Sequence, residues 1–479
     1  MAKIHPKPHA ILFAYPLQGH LIPFVHLAIK LASKGFTITF VNTESIHCQT
    51  FKAQSDNTTD IFSTARKSGL DIRYITVNDG LPVNFDRSLN HDQFMFSLLH
   101  VFSAHVEELV NKIVKTEMES GSRVNCLVAD TFFTWPSMIA KKFRLVHVSF
   151  WTEPALVFTL YHHIPLLREN GHFGSNSNRK EAIDYIPGVS PINPKDLMSY
   201  LQASDITTVV HQIIFKAFES AREADFVLCN TVEELEKDTI SALQVEKPFF
   251  AVGPVFPAGF SKSIVATSLW AESDCAQWLD HKPNRSVLYV SFGSYAHVSK
   301  EDIAEIANGL WLSKVNFIWV LRPDIVSFDG CDPLPVGFLE EIGDWGMVVP
   351  WCCQIEVLKS AKIRGFLTHC GWNSILESIW YEVPMLCFPL LTDQFTNRKL
   401  VVDDWKVAAN LNGVHPVNRH EVSENINRLM MGTLGGELRN NIKEVRKMLE
   451  NAISTHGSSM RNLDKFIEDV TETICNNDD

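Results

Sequence analysis

The sequence predicts an α/β protein in which two parallel-sheet domains face each other across a cleft. Three observations lead there. The chain has 479 residues, more than one hydrophobic core usually serves, so two domains of roughly 200 to 250 residues each are expected. Short apolar runs alternate with longer amphipathic stretches, the pattern of βα units around a parallel sheet. The alternation stops near residue 250 and restarts near residue 287, giving two Rossmann-like halves of similar design.

In the first half, strands are expected at 10–15, 36–41, 72–77, 126–129, 145–149 and 226–229. Between the first two, Leu21, Phe24, Val25, Ala28, Leu31 and Ala32 recur at helical spacing, and Gly35 stands where a helix C-cap belongs. Residues 167–195 are polar and rich in Gly, Asn and Pro, the composition of a mobile loop. Gly253, Pro254, Pro257 and Gly259 then break the pattern. In the second half, strands are expected at 287–292, 317–321, 347–349, 365–368 and 385–388, and amphipathic helices at 437–450 and 460–473. The expected division is a first domain 1–248, a linker 249–263, a second domain 264–456, and a terminal helix in 457–479 that packs back on the first domain.

Composition narrows the function classes. Hydrophobic residues make up 46% and charged residues 20% of the chain, ordinary for a globular protein. A net charge of −12 works against general electrostatic attraction to nucleic acid or an anionic membrane. The apolar run at 10–15 is too short for a signal peptide, and no run reaches the ~18 to 20 residues of a membrane span. The ten cysteines are scattered, so reduced thiols in a cytoplasmic protein are expected, and the sequons at Asn57 and Asn284 carry no meaning there.

The segment 351–394 is the richest in chemistry. Its central strand, 365–368, runs into His369-Cys370-Gly371-Trp372 and then into a helix marked by Ile375, Leu376, Ile379 and Trp380. Free N–H groups and the helix dipole make such a junction an anion site, suited to a diphosphate. Each polar residue also has a purely structural reading. Ser374 and Glu377 fit an S-x-x-E capping box, Asp393 fits an N-cap, and His369 and Trp351 fit a core.

In the first half, Pro16-Leu17-Gln18-Gly19-His20 joins the first strand to the first helix. That places His20 at the carboxyl end of a parallel strand, where α/β sites collect. Neutral imidazole is matched to removing a proton near pH 7. Asp130, at the end of the strand 126–129, either orients that imidazole or caps the segment beginning near Thr134.

The block 351–394 resembles the donor-binding signature of plant secondary-product glycosyltransferases, glycosyltransferase family 1. Trp351, Gln354, His369, Gly371, Trp372, Asn373, Ser374, Glu377, Pro384, Asp393 and Gln394 stand where that signature has them. The resemblance implies a GT-B fold and a monomer using a UDP-sugar, in most cases UDP-glucose, as co-substrate. By the same resemblance Trp351 stacks on uracil, and Gln354 and Glu377 bind the ribose. His369, Asn373, Ser374 and Ser294 meet the diphosphate, Asp393 and Gln394 hold the sugar, and Trp372 and Cys352 complete the donor wall. His20 becomes the general base and Asp130 its orienter.

The sequence departs from the signature at Cys353, where Pro is usual, and at Tyr381-Glu382, where a small residue and Gly are usual. Glu382 there either adopts ordinary backbone angles or carries strain. No D-x-D triplet occurs, which points to transfer without a metal or other cofactor, and a single base without a protein nucleophile implies inversion. The stretch 149–154 resembles the family's acceptor-lining region. Phe94, Phe96, Phe132, Phe133, Phe150, Trp151 and Leu390 are expected on the acceptor wall, with core packing as the alternative for the aromatic residues; a flat or bulky apolar alcohol or phenol would suit such a wall.

Rival readings are weaker. No G-x-G-x-x-G follows any expected strand, against a dinucleotide oxidoreductase. A sugar-nucleotide-binding protein without catalytic power would lack His20 or Asp130. Cys352, Cys353, His369 and Cys370 lack zinc-ligand spacing. C-glycosylation, or another UDP-sugar, stays within the same family.

Overall fold

The apolar runs of the first half fold into seven strands: β1 (His9–Phe13), β2 (Thr37–Thr43), β3 (Ile72–Val77), β4 (Cys126–Asp130), β5 (Val146–Trp151), β6 (Phe226–Cys229) and β7 (Phe249–Ala251). They pair in parallel in the order β3-β2-β1-β4-β5-β6-β7. Strands β1, β2, β4, β5 and β6 are buried throughout. Both faces of a parallel sheet are covered, so that even Thr39 and Asn42 of β2 and His147 and Ser149 of β5 are buried.

The second half repeats the design with β8 (Val287–Ser291), β9 (Asn316–Val320), β10 (Gly346–Val349), β11 (Ile363–Thr368), β12 (Met385–Cys387) and β13 (Ala408–Asn410), in the parallel order β10-β9-β8-β11-β12-β13. This computed structural model describes residues 7–54, 60–175, 178–256, 267–326, 333–411 and 416–478. Among them, no helix is long and apolar enough to cross a membrane.

Several expectations need correction. Phe249–Ala251, read as the start of the linker, pairs with β6 as an edge strand; residues 257–263 of that expected linker lie outside the described residues, as does Asn57. Strand β13 was not expected, because Ala-Ala-Asn is too short to show a period. The segment 167–195 is anchored: Phe173, Ile183, Ile186 and Ile192 are buried, and Ile183 and Ile192 exchange backbone hydrogen bonds of 2.9 and 3.0 Å.

The last helix, Ser458–Asp478, returns to the first sheet. Phe466 is buried with its ring 5.7 Å from Phe226 and 5.9 Å from Phe250, and Asn462 Nδ2 donates to the Ala251 carbonyl at 3.0 Å.

Each sheet has one point where the strand order reverses, between β1 and β4 and between β8 and β11. Ligands of α/β proteins bind outside the carboxyl ends of strands at such points. Register sets Phe13 beside Ala129 and Ser291 beside Thr368, so the loops that follow each pair emerge side by side.

Candidate active site

His20 lies in the first turn of the helix Gln18–Ser33, directly after β1. Asp130 ends the neighbouring β4 and is 1% exposed. Asp130 Oδ2 is 2.8 Å from His20 Nδ1, and Asp130 Oδ1 accepts from the Phe132 backbone N–H at 3.0 Å. Both carboxylate oxygens are thereby engaged. The helix that follows, Pro136–Phe143, begins after Trp135, so Asp130 is not its cap. The Thr152 hydroxyl also reaches His20 Nδ1, at 3.1 Å. With Nδ1 occupied, Nε2 is the nitrogen left for the cavity that His20 lines.

The second sheet contributes two adjoining loops. After β8, Gly293 takes φ +76°, and a Cβ there would stand 2.4 Å from His369 Nε2. A Cβ on Gly371 would stand 2.6 Å from the same Nε2. Glycine is required at both places for the imidazole to sit between the loops. Burial, then the Arg322 guanidinium, pushes the His369 pKa down to about 4, so this imidazole is neutral at pH 7.

The helix Trp372–Trp380 starts at Gly371 with no side-chain cap. Ser374 and Glu377 lie inside it and form no capping box. The first-turn N–H groups are consequently available to an anion. The helix also joins the two halves: Asn373 Nδ2 donates to the Gly19 carbonyl at 2.7 Å, and Trp372 Nε1 to the Asn230 carbonyl at 2.7 Å. The start of this helix therefore touches the residue preceding His20.

Gln354 Nε2 donates to Glu377 Oε2 at 2.7 Å and to Ser374 Oγ at 3.0 Å. Burial raises the Glu377 carboxyl to about 7. Asp393 does not cap its helix; its carboxyl receives Thr392 Oγ1 at 2.7 Å and the amide of Asn397, and burial raises its pKa. Gln394 Oε1 accepts from the backbone N–H groups of Leu390 and Leu391 at 2.9 and 3.1 Å. Glu382 takes φ +55° and pairs with Arg446 at 2.8 Å, so the residue standing for glycine does hold a left-handed backbone.

One cavity of about 860 Å³ brings these groups together. Its walls include His20, Ser294, Trp351, Cys352, Gln354, His369, Gly371, Trp372, Asn373, Ser374, Glu377, Asp393 and Gln394. The expected acceptor wall is placed differently. Phe94, Phe133, Phe150 and Trp151 are 0 to 2% exposed and belong to the cores, and Leu390 packs with the second-domain core. Phe150 and Trp151 lie within the doubly covered β5, and Phe150 meets Phe24 at 4.9 Å. Of the expected wall, Phe132 lines the cavity, as do Thr152 and Glu153 of the stretch 149–154; the rest of that wall comes from neighbouring positions, His91 and Met95 on the helix that carries Phe94 and Leu391 after Leu390.

Three further residues shape the site. Trp270 lies on Trp351, ring centroids 4.9 Å apart. Arg322, 1% exposed, donates Nη2 to the Ala296 carbonyl at 2.8 Å and Nη1 to the Gly293 carbonyl, and pairs with Asp324 at 2.9 Å. It thereby clamps the loop that carries Ser294. Glu153 lines the same cavity. The one sequence signal for Arg322 was a charge ending an apolar strand; Trp270 had none, since it follows an unpatterned stretch.

With this geometry in hand, the comparisons place the chain. Residues 22–434 match the model of the UDP-glucoronosyl and UDP-glucosyl transferase family. UDP-glycosyltransferase 86A1 of Arabidopsis thaliana is 59% identical over 98% of this chain and 95% of its own length. The 7-deoxyloganetin glucosyltransferase of Gardenia jasminoides is 34% identical over 96% of this chain and 97% of its own length. The crystal structure of Medicago truncatula UGT71G1 complexed with UDP-glucose superposes with a TM-score of 0.80 at 26% identity, covering 98% of this chain and all of that one. Two Rossmann-like sheets with their switch points opposed make the fold GT-B, and the chain belongs to the UDP-glycosyltransferase family as a glycosyltransferase enzyme.

Proposed function

We propose that the protein transfers glucose from UDP-glucose to a hydroxyl of a small hydrophobic metabolite, with inversion and without a metal. The observation that carries this reading is the His20–Asp130 pair held against the donor helix through Asn373 and Gly19. Two relatives bear on the sugar and the acceptor, one named as a glucosyltransferase of 7-deoxyloganetin and one solved with UDP-glucose.

In this reading His20 Nε2 takes the proton of the acceptor hydroxyl as its oxygen attacks C1 of the sugar. Asp130 fixes the tautomer through Nδ1 and stabilises the imidazolium that forms, while UDP leaves from the opposite face. Trp351 stacks on uracil, and Gln354 and Glu377 hold the ribose. The first turn of Trp372–Trp380, neutral His369 and Ser294 receive the charge that develops on the diphosphate, as preorganised donors. Asp393 and Gln394 hold the sugar hydroxyls. The acceptor rests against Phe132, Met95 and Tyr161, which border the cavity near His20.

The test is turnover of UDP-sugars with phenolic and terpenoid alcohols, read by mass spectrometry and by the anomeric configuration of the product. We expect β-glucosides from UDP-glucose, and a fall of about 10² to 10⁴ in turnover for His20→Ala with UDP affinity unchanged. An α-linked product, or full activity in His20→Ala, would overturn the mechanism.

A further inference from the structure

Besides the imidazoles of His20 and His369, which the mechanism uses, the cavity is bordered by that of His91. His91 opens the helix His91–His100 of the first half. Its Nδ1 hydrogen-bonds the phenol of Tyr295, with the ring centroids 5.7 Å apart. Tyr295 follows Ser294 on the loop after β8, where Arg322 holds the Gly293 and Ala296 carbonyls on either side. The contact therefore crosses between the two halves and fixes the His91 ring at the cavity wall.

One nitrogen of that ring is left over. Among the described residues His91 Nε2 has no hydrogen-bond partner, and it is not an enclosed atom, in contrast to His369 Nδ1. Burial lowers the His91 pKa, opposed by Asp92 and assisted by His297, so the ring is neutral at pH 7. Neutral imidazole has one donor and one acceptor nitrogen. Whichever role the Tyr295 hydroxyl leaves to Nδ1, Nε2 takes the other, and a hydroxyl can meet it in both cases.

The wall between His91 and His20 shows which part of a ligand would reach it. Met95 stands four residues after His91, about 6 Å further along the helix, and its Sδ accepts from the Tyr15 hydroxyl at 3.3 Å. The Tyr15 ring in turn lies 5.5 Å from that of His20. All four residues border the same cavity. A molecule that gives its reacting hydroxyl to His20 and lies along Tyr15 and Met95 brings its far end to His91.

We propose that His91, oriented by Tyr295, is an acceptor-specificity residue that hydrogen-bonds a second oxygen of the acceptor, at the end remote from the attacked hydroxyl. The preferred acceptors are then diols or hydroxy-carbonyl compounds, not apolar alcohols with a single oxygen. The proposal rests on the transferase reading above and deepens its acceptor side by one polar contact. Sites that hydrogen-bond a ligand group reject analogues lacking it, because the protein's polar atom is then desolvated without a partner.

The experiment uses the full chain with UDP-glucose and matched acceptors: a hydroxybiphenyl and a naphthol with one hydroxyl each, beside the diols that carry a second hydroxyl at the far end. The readout is the ratio of kcat/KM for diol over mono-ol, in which the fraction of folded enzyme cancels. The wild type should favour one of the diols by about tenfold or more, beyond the roughly twofold that two equivalent hydroxyls give by number. His91→Phe, which keeps a ring and loses both nitrogens, should bring the ratio down to about that twofold value. Tyr295→Phe should lower it less, through the KM of the diol and not through kcat, as for a positioning residue. A wild-type ratio near twofold with both ring systems, or an unchanged ratio in His91→Phe, would overturn the proposal; the first of these needs no variant to fold. An unchanged ratio in Tyr295→Phe would overturn the orienting role given to Tyr295. Absence of UDP binding to the wild type would instead overturn the transferase reading on which the proposal rests.

Discussion

At the scale of single residues, the site works by setting protonation through burial. His369 is held neutral near pH 7 with a pKa of about 4, and Glu377 is held up to about 7. For Glu377 the folded value lies above the roughly 4.3 of an unfolded carboxyl. Its neutral form therefore supports the fold fully below about pH 4.3, and that contribution is lost as pH rises toward 7. Ligand-free Glu377→Gln has no such loss. Thermal melts should show the variant gaining on the wild type between pH 5 and pH 8, with weaker UDP binding in the variant at pH 8. A melting difference independent of pH would show that Glu377 is not the group titrating.

These residues also show where sequence legibility ends. The roles of His20 and Asp130 depend on a 2.8 Å contact between positions 110 residues apart, yet both ended up where strand ends suggested. Phe133 and Phe132 were equally plausible as cavity walls. One-residue offsets of that kind depend on which way each side chain turns at the end of a strand or on a helix face, and composition does not encode it.

At the scale of elements, the proposed donor site is a pair of strand-to-loop junctions closed around His369. Strands β8 and β11 pair at Ser291 and Thr368, which forces their following loops together and leaves no room for side chains at 293 and 371. Gly371→Ala should displace the imidazole and weaken UDP binding by about tenfold or more. Gly293→Ala should do the same and add backbone strain, of order 1 to 3 kcal/mol for a non-glycine residue at positive φ. Calorimetric UDP titration with parallel melts checks both, and wild-type affinity in Gly371→Ala would remove His369 from the diphosphate site. Arg322 belongs to the same element: one guanidinium holds two carbonyls of the Ser294 loop.

At the scale of the whole molecule, the chain crosses between its halves more than once. The helix Trp372–Trp380 bonds to Gly19 and Asn230, Thr396 Oγ1 donates to the Asp196 carbonyl at 2.7 Å, and the last helix seals the first core. Phe466→Ala should cost about 3 kcal/mol or more, as for a buried aromatic ring removed from a core. That appears as a lower denaturation midpoint, and an unchanged midpoint would mean that the terminal helix contributes little to the first domain.

The sequence by itself determined every strand except the two short edge strands β7 and β13, together with the glycine junctions and the block 351–394, because parallel strands and helix starts are written in consecutive residues. Only the tertiary structure decided that two switch points oppose each other, that Phe249–Ala251 is sheet, and that Phe133, Phe150 and Trp151 turn into the cores while Phe132, Thr152 and Glu153 border the cavity. Those features depend on strand order and side-chain direction, which arise from contacts between distant segments and leave no local period to read.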